Sequence, residues 1–534
     1  MTAPRPFRAS TAMGWGLALL LAACAAPPVP APLPAAAKAP ASPPALLAAP
    51  ATSSTDLARY HWLNRLTWGA SSSALSQAAG QTNTSLLDQQ LAKVPATLPA
   101  AVQSQIAALT LSQQPFTALM FALEQRRRDA DALKNDDAKK TAQQAYQQEL
   151  NRLAREAASR HVLRALYSPG QLQEQMTWFW LNHFSVFQNK ANLRAMVGDY
   201  EDTAIRPHAL GRFRDLLGAT ALHPAMLRYL DNEQNAVNRV NENLARELME
   251  LHTLGVDGPY SQKDVQELAR VLTGAGVNLS PTDTPVGRRE LQGYYVRRGV
   301  FEFHPGRHDF GPKTLLGQPL QQRGLAELDE ALDRLARHPA TARFVSRKLM
   351  QYWLADNPPP ALVERTAQAF IASDGDIAVT LRTLLGSPEF AQGAGQKFKD
   401  PMRYVVSALR LAYDDRVILN TGPVLNWLNR MGQPLYGRQT PDGWPLNEGA
   451  WASPGQMTVR FEVARAIGSG SAGLFRSEGP TPQEVPAFPQ LANALYYQAL
   501  QHNLGSSTRA ALAQAGSPQE WATFLLSSPE LMRR

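Results

Sequence analysis

Apolar side chains recur at three- and four-residue spacing along most of the chain, a pattern that predicts amphipathic helices. The clearest case is residues 241–274, NENLARELMELHTLGVDGPYSQKDVQELARVLTG. At roughly 100° per residue, Leu244, Leu248 and Leu251 fall on one side of its first helix and predict the buried stripe. Gly255 is suited to a left-handed C-cap that ends this helix.

A second helix is predicted directly after the turn. Ser261 and Asp264 have the spacing of a capping box, in which each side chain accepts a hydrogen bond from the other residue's backbone N–H. The helix is expected to end at Gly274. Residues 241–274 therefore predict two helices joined by a glycine-rich turn.

Helical patterns continue on both sides of this unit. Residues 116–166 are polar, with a break predicted near Lys134 and Asp136, and their alternating charges favour a solvated helical arm. The most aromatic segment, residues 175–187 (QMTWFWLNHFSVF), is predicted to be a buried helix. Strand-like alternation is clear only in residues 291–316. We therefore predict a mainly α fold: a large helical domain with one small β-hairpin insertion.

One long segment fits neither helix nor strand. Residues 432–451, GQPLYGRQTPDGWPLNEGAW, are rich in Gly, Pro and Trp, and this composition predicts an ordered loop. Loops of this length in compact domains are often functional. The segment is therefore a candidate functional loop.

The N-terminus has the pattern of a bacterial lipoprotein leader. Arg5 and Arg8 precede an apolar run, residues 13–23, that is too short to span a bilayer permanently. The run ends in Leu-Ala-Ala-Cys at residues 21–24, which resembles the lipobox cleaved before a lipid-modified cysteine. We predict that residues 1–23 are a signal peptide and that Cys24 is lipidated.

The residues after Cys24 predict an exported protein held at the cell envelope. Ala25 follows instead of Asp, which by analogy with known lipoprotein sorting favours the outer membrane, facing the periplasm or the surface. Residues 24–55 are almost all Ala, Pro and Ser, the composition of an extended tether. The folded domain is expected over residues 56–534.

Composition excludes several classes of function. Cys24 is the only cysteine, so the mature chain can have no disulfide, thiolate nucleophile or Cys-based zinc site. The formal charge of +8 falls to +6 without the two leader arginines, which does not indicate nucleic-acid binding. No later apolar run approaches the length of a membrane span, so the lipid would be the anchor.

Candidate chemistry is densest in the first helix of residues 241–274. Asn243, Glu247 and Glu250 lie on one edge of its apolar stripe, and His252 lies on the opposite edge. Glu247 and His252 therefore cannot share one ion from this helix alone, which excludes the simplest two-histidine zinc hydrolase pattern. Glu247, beside leucines, is expected to have a raised pKa if it is unpaired.

Other candidates are histidines in aromatic or glycine-rich surroundings. Histidine with Asp or Glu suits a divalent cation or general acid–base work. Each has a structural alternative: His183 as a core histidine, His208 bonded to a neighbouring carboxylate, and His223 as a helix-entry residue before Pro224.

The acidic candidates have structural alternatives as well. Glu247 and Glu250 can instead form a structural ion network, for which the sequence offers Arg246, Arg206 and Arg212. His308-Asp309 lies in a loop, HPGRHDFGPK, where a turn-stabilising Asp competes with a ligand role. Sequence alone leaves both interpretations open.

Several motifs together resemble the bacterial DUF1800 family. In order over residues 56–466, they are LNRLTWG, FWLNHF, YEDTAIRPHALGRFRDLL, HPAMLRYLDN, the unit at residues 241–274, HDFGPKTLLG, HPATARFVSRKL, SPEF and GQPLYGRQTPDGWP. The resemblance implies a mostly helical, exported protein, often encoded beside another exported protein of unknown function, DUF1501. It supplies no catalytic residues. Ala275 stands where the family has an aromatic residue, so packing there is expected to differ.

Two functions are compatible with these observations, and whether the protein is an enzyme stays open at this point. The first is binding or hydrolysis of an extracellular polymer, such as a polysaccharide, in a polar cleft. Its candidate residues are Glu247, Glu250, His308 and Asp309 for catalysis and Asn243, His183 and His208 for binding. The cofactor is unknown, with a divalent metal as one option. The second is a non-enzymatic scaffold for another exported protein, such as a DUF1501-type partner.

Overall fold

The computed structural model describes residues 54–92, 97–477 and 487–534. The signal peptide, Cys24 and nearly all of the tether lie outside the described residues. Within them the chain is mainly α-helical, as the periodicity predicts. In the same part of the chain, no helix is both long enough and apolar enough to span a bilayer.

The helices fall into two groups, before and after the strands. The first group is α1 (Ser54–Leu66), α2 (Ser72–Gln77), α3 (Asn83–Leu91), α4 (Ala100–Ala107), α5 (Thr110–Gln113), α6 (Phe116–Ala132), α7 (Asp136–Tyr167), α8 (Gln171–His183), α9 (Val197–Asp199), α10 (Phe213–Ala221), α11 (Pro224–Tyr229), α12 (Asn243–Glu247) and α13 (Gln262–Val271). The second group is α14 (Leu325–Ala336), α15 (Pro339–Trp353), α16 (Pro360–Ala372), α17 (Ile377–Leu385), α18 (Pro388–Gln392), α19 (Pro401–Tyr413), α20 (Gly422–Arg430), α21 (Pro454–Gly468), α22 (Gln501–Asn503), α23 (Ser506–Ala513) and α24 (Pro518–Leu526).

Shorter helical turns complete these elements. Turns of π-helix lie at Tyr200–Ile205, Leu248–Thr253 and Tyr496–Leu500. Turns of 3₁₀-helix lie at Leu193–Ala195, Arg206–His208, Asn232–Gln234, Arg289–Tyr294, Pro305–Arg307, Glu448–Ala450 and Pro529–Met532.

The aromatic helix α8 lies at the centre of the core. Every residue of α8 except Gln173 is buried, which confirms the prediction of a buried helix. Trp180 packs against Phe184 and Phe213, with ring centroids 6.1 and 5.8 Å away, and its Nε1 donates to the Ala209 carbonyl at 3.0 Å. The indole is therefore both packed and hydrogen-bonded, as a buried Trp requires.

The polar arm consists of α6 and α7, and the predicted break lies between Ala132 and Asp136. Asn135 caps α7 by accepting a hydrogen bond from the Ala138 N–H at 2.9 Å. The arm is solvated near this turn, but Leu119, Met120 and Leu123 of α6 are buried, and from Leu150 onward one face of α7 belongs to the core. The expectation of a solvated arm over its whole length is therefore wrong for the first half of α6 and the second half of α7.

The strands form two small sheets. β2 (Val296–Arg298) and β3 (Phe301–Phe303) form a hairpin inside the predicted region, with Val296 opposite Phe303, but its turn lies at Gly299 and not at the predicted loop HPGRHDFGP. β1 (Ala275–Val277) pairs with the other edge of β3, and β4 (Thr314–Leu315) pairs with β5 (Gln318–Pro319). The prediction of a single hairpin missed β1, because the turn into it depends on Gly274, whose φ is +86°. A Cβ there would lie 2.9 Å from the His304 carbonyl oxygen.

The unit at residues 241–274 departs from a regular helix in one respect. Ser261 and Asp264 form the predicted capping box, and Gly255 has the predicted positive φ, +92°. Between Leu248 and Thr253, however, the chain forms a π-turn, in which the Leu254 N–H donates to the Met249 carbonyl. The extra residue in the turn displaces the side chains that follow.

The π-turn corrects the predicted faces of this helix. Leu244 and Leu248 are fully buried as expected, but Leu251 is half-exposed and His252 is fully buried. A constant 100° step places His252 at the edge of the stripe, and the π-turn carries it into the core. The prediction is therefore wrong at Leu251 and His252.

Candidate functional site

Glu247 is the last residue of α12, immediately before the π-turn. In the described part of the chain its half-exposed carboxyl makes no hydrogen bond or ion pair. The pKa of Glu247 is raised to about 7, chiefly by burial and in addition by the carboxylates of Glu250 and Asp442, against the opposing effect of Arg246. The raised pKa predicted for Glu247 is confirmed.

The pairing of the three candidate arginines contradicts the alternative of a structural ion network around Glu247 and Glu250. Each of them pairs with another carboxylate: Arg246 with Glu242, Arg206 with Glu174, and Arg212 with Asp374. Glu247 is therefore a carboxyl group with a raised pKa and without a counter-ion.

His183 and His252 lie together in the aromatic core. His183 Nε2 donates to the His252 carbonyl at 3.0 Å, and the two ring centroids are 5.8 Å apart. Burial and, to a lesser extent, the nearby ammonium of Lys348 lower the pKa of both imidazoles, and together they bring that of His252 to about 3. Both rings are therefore neutral at pH 7.

The candidate loop, residues 432–451, is fixed to the core at Tyr436. The Tyr436 hydroxyl donates to Glu201 Oε2, and Tyr436 has a left-handed backbone with φ +53°. Although burial by itself raises the pKa of Glu201, His161 and Arg206 hold that pKa well below its usual range. The loop therefore begins on a buried, ionised carboxylate.

Asn182, from α8, holds the middle of the loop. Its Nδ2 donates to the Trp444 carbonyl at 2.9 Å, and its Oδ1 accepts from the Trp444 N–H. The approach is so close that a Cβ at Gly443 would collide with the Asn182 carbonyl oxygen, and Gly443 has φ +77°. Glycine is required here both for space and for backbone conformation.

A cleft of about 580 Å³ opens between this loop and α15. The residues that carry its chemistry are Asn182, Lys348, Gln351, Asn357, Asp442 and Trp444. Trp444 is half-buried, and the Arg438 guanidinium lies 5.5 Å from the centre of its ring.

Asp442 is an ionised carboxylate at the cleft. Arg438 Nη2 donates to its two oxygens at 2.9 and 2.6 Å, and the Thr440 hydroxyl donates at 2.6 Å. Although partial burial opposes the effect, these hydrogen bonds hold the pKa of Asp442 below its usual range. Its charge also acts on Glu247 and on Lys348, so Asp442 connects the cleft to α12 electrostatically.

Lys348 projects from α15 into the cleft. Burial lowers its pKa to about 8, and Asp442 opposes the shift. The ammonium lies 5.5 Å from the centre of the Phe344 ring. Among the residues that the structure describes, it has no hydrogen-bond or ion-pair partner.

His308 and Asp309 belong to a different cluster. Asp309 pairs with Arg270 at 2.7 Å, and His308 Nδ1 donates to the Thr273 carbonyl at 2.8 Å. The buried neighbour Glu327 pairs with Lys313 and approaches His308 Nε2 at 3.2 Å. The structure does not bring His308 and Asp309 to the cleft, and their contacts fit the turn-stabilising alternative.

The remaining candidates, His208, His223, Asn243 and Glu250, are not among the residues that line the cleft. His223 caps α11 through Nδ1, as expected for a helix-entry residue, and its Nε2 contacts Asp199 at 3.0 Å. His208 is half-buried, and burial lowers its pKa while Asp215 opposes the shift. Asn243 is exposed at the start of α12.

Sequence reasoning missed Asn182, Lys348, Asp442 and Trp444. The signal for Asp442 and Trp444 was the unusual loop composition, which pointed to the segment but not to the residues. Lys348 gives no local signal, since a lysine in an amphipathic helix is ordinary. Across residues 54–92, 97–477 and 487–534, no group of three His, Cys, Asp or Glu side chains is arranged to hold a metal ion.

Comparison with known proteins gives one match. A family model described as "Protein of unknown function (DUF1800)" matches residues 61–533. The match extends the similarity beyond residue 466, where the recognisable motifs end, through the C-terminal helices. No curated protein and no solved structure matches the chain.

Proposed function

This chain belongs to the DUF1800 family, whose description assigns no function, and we propose that it binds and hydrolyses an extracellular polysaccharide in the cleft beneath residues 432–451. The observation that carries the proposal is the pair Glu247 and Asp442: Asp442 lines the cleft, and Glu247, which is not among the lining residues, lies close enough for the Asp442 carboxylate to raise its pKa. The pKa of Glu247 is raised to about 7, whereas that of Asp442 is lowered. Neighbouring carboxyl groups whose pKa values are pushed apart are typical of acid–base sites.

The types of residue that line the cleft support a sugar polymer as its ligand. Trp444 offers a half-buried aromatic face, which suits the apolar faces of sugar rings. The amides of Gln351, Asn357 and Asn447 make no hydrogen bonds within the described part of the chain, and all three line the cleft. Free amides can donate to and accept from hydroxyl groups. The combination of aromatic face and amides fits a hydroxyl-rich ligand.

Each carboxyl group has a role in the proposed reaction. Protonated Glu247 donates its proton to the glycosidic oxygen as the C–O bond breaks. Ionised Asp442 stabilises the positive charge that develops on the sugar ring. A water molecule forms the new bond to the anomeric carbon and transfers its proton to Glu250. The products are two shorter chains, and the transferred proton regenerates the site after exchange with solvent.

The test is hydrolysis of a panel of bacterial and plant polysaccharides, measured as new reducing ends. Glu247→Gln removes the acidic proton but keeps the shape, so we expect a rate at least about 100-fold lower with binding preserved. Glu242→Gln is the matched control, because Glu242 lies five residues earlier, at the N-cap of the same helix, and pairs with Arg246 at 3.0 Å. An equal loss in both variants, or no hydrolysis by the native protein, would overturn the proposal.

We also propose that the protein reaches the cell envelope as a lipoprotein anchored at Cys24. The support is the leader pattern and the composition of residues 24–55. Metabolic labelling with a fatty acid tests the anchor: Cys24→Ser should give an unlipidated precursor. Continued labelling of that variant would contradict the assignment.

A non-enzymatic role as an assembly partner is the second candidate function. It is favoured by the solvent-exposed end of the arm, where Arg127 pairs with the exposed Asp131 as well as with the buried Glu124. A DUF1501-type exported protein is the partner to test by co-purification. Loss of co-purification after charge reversal at Arg127 would support this role, whereas co-purification unaffected by that change would argue against it.

A further inference from the structure

The net charge of the cleft indicates which polymers it would favour, a step that rests on the proposed polysaccharide site. Two carboxylates line the cleft, Asp442 and Asp356. Asp442 is paired with Arg438 at 2.6 Å, and Asp356 is paired with the buried Lys397. Both negative charges are therefore matched by cations from the protein itself.

Lys348 is a cation of the cleft lining that neither of these two ion pairs includes. No ion pair reaches its ammonium in the described part of the chain, and Asp442 acts on it only across a longer distance. The two histidines that lie nearby, His183 and His252, are held neutral by burial. The lining of the cleft therefore carries one unmatched positive charge.

An unmatched, partly buried ammonium is unfavourable, because burial removes water without supplying a counter-ion. The lowered pKa of Lys348 is a consequence of that environment. An anionic group on a ligand in the cleft would restore the missing charge interaction. The Phe344 ring, 5.5 Å from the Lys348 ammonium, limits the approach of a ligand from one side. A ligand in the cleft would reach the ammonium from the other side.

We propose that Lys348 binds a negatively charged group on the sugar ring, and that the polymer bound by this cleft is an acidic polysaccharide. The amides of Gln351 and Asn357, which line the same cleft, can hydrogen-bond the hydroxyl groups beside the anion. Carboxylate and sulfate groups share this chemistry. Comparing a uronate polymer with a sulfated polymer therefore shows which of the two anions Lys348 binds.

The experiment measures binding separately from turnover, with purified full-length protein that carries Glu247→Gln. The probes are an oligogalacturonate, a sulfated galactan oligomer of equal length, and the neutral galactan oligomer as reference. Titration calorimetry at low and high salt gives the affinities. We expect at least one acidic oligomer to bind at least 10-fold more tightly than the neutral oligomer, with weaker binding at high salt.

Variants at Lys348 and at its neighbour Arg347 test whether Lys348 causes the preference for acidic oligomers. Lys348→Gln should abolish the preference for acidic oligomers, and Lys348→Arg should restore most of it. Arg347→Gln is the matched control, because Arg347 is exposed on the same helix and its loss removes the same formal charge. Removal of an unpaired charge should not unfold the protein, and circular dichroism checks this.

The outcomes separate this inference from the proposed hydrolysis. If the Glu247→Gln protein binds acidic oligomers through Lys348 while the native protein cleaves none of the polymers, the charge selectivity is supported and the hydrolysis is refuted. Equal binding of acidic and neutral oligomers, no binding of any of them, or equal losses in Lys348→Gln and Arg347→Gln would overturn the selectivity. Preference for the uronate or the sulfated oligomer identifies the anion.

Discussion

At the scale of single residues, the unpaired carboxyl of Glu247 has a measurable effect on stability. Its pKa of about 7 lies well above the ordinary value, so the native state holds this proton more tightly than the unfolded chain does. Unfolding therefore releases a proton between about pH 4.5 and pH 7, and the contribution of Glu247 to stability falls as pH rises through that window. Above pH 7 the ionised group destabilises the fold.

Glu247→Gln should therefore be more stable than the native protein at pH 8 and similar to it at pH 4.5. The pKa shift sets an upper limit of roughly 3 kcal/mol at about 1.4 kcal/mol per pKa unit. Because the carboxyl is half-exposed, solvent screening reduces the effect, and we expect roughly 1 kcal/mol. Urea unfolding at the two pH values measures it. A large loss of stability at pH 8 would instead indicate a structural ion pair.

At the scale of elements, the cleft depends on where the loop at residues 432–451 is fixed. Tyr436 and Glu201 are 235 positions apart in the sequence, and their hydrogen bond is buried. Asn182 provides the second attachment, to the backbone of Trp444. A loop held at two points on the core can place Asp442 and Trp444 reproducibly against α15.

Tyr436→Phe should loosen the loop without unfolding the helices. The change removes one hydrogen bond from a buried carboxylate that keeps His161 and Arg206 as neighbours. A hydrogen bond to a charged group contributes about 1.5–3 kcal/mol. We expect a loss in that range by thermal unfolding, and faster proteolysis within residues 432–451. Tyr497→Phe, at an exposed tyrosine, is the control; equal effects in both variants would contradict the anchoring role.

The π-turn at Leu248–Thr253 is the second element that shapes the site. It makes Glu247 the last residue with regular α-helical geometry and buries His252 against His183. Unusual helical turns of this kind are frequent at functional sites. Here the turn separates a core histidine from an accessible carboxyl only five residues earlier.

At the scale of the whole molecule, buried arginines connect distant parts of the chain. Arg403, on α19, donates from Nη2 to the carbonyls of Asn64, Arg65 and Thr67 at 3.0, 2.8 and 2.8 Å. It is almost fully buried. One side chain therefore satisfies the C-terminal carbonyls of α1 and joins the first helix to the second half of the domain.

Arg403→Ala should destabilise the entire domain. The substitution leaves several buried carbonyls unsatisfied and opens a cavity, and together these should cost at least about 4 kcal/mol. Chemical denaturation followed by tryptophan fluorescence measures the loss. Arg347→Ala, at an exposed position of α15, should change stability by less than about 0.5 kcal/mol. A similarly small effect at Arg403 would contradict the bridging role.

Local physical rules explain which features the sequence determined by itself. Helix ends at Ser261, Gly255 and His223 follow from capping and backbone conformation, which act within a few residues. The burial of α8 follows from its aromatic density. A raised pKa is expected for Glu247 beside the leucines of its helix, but its burial and the contribution of Asp442 depend on tertiary structure. The helical class and the strand-forming region around β2 and β3 follow from periodicity.

Tertiary structure alone decided which of these segments meet. Lys348, Asp442 and Asn182 come from α15, the loop and α8, and no local pattern encodes the distances between them. His308 and Asp309 have residue types as suggestive as those of Glu247, yet packing gives them Arg270 and Thr273 as partners. Contacts between distant segments depend on how the apolar faces of whole helices and sheets pack together. The pattern of one sequence shows which faces are apolar but not which of them pack against each other.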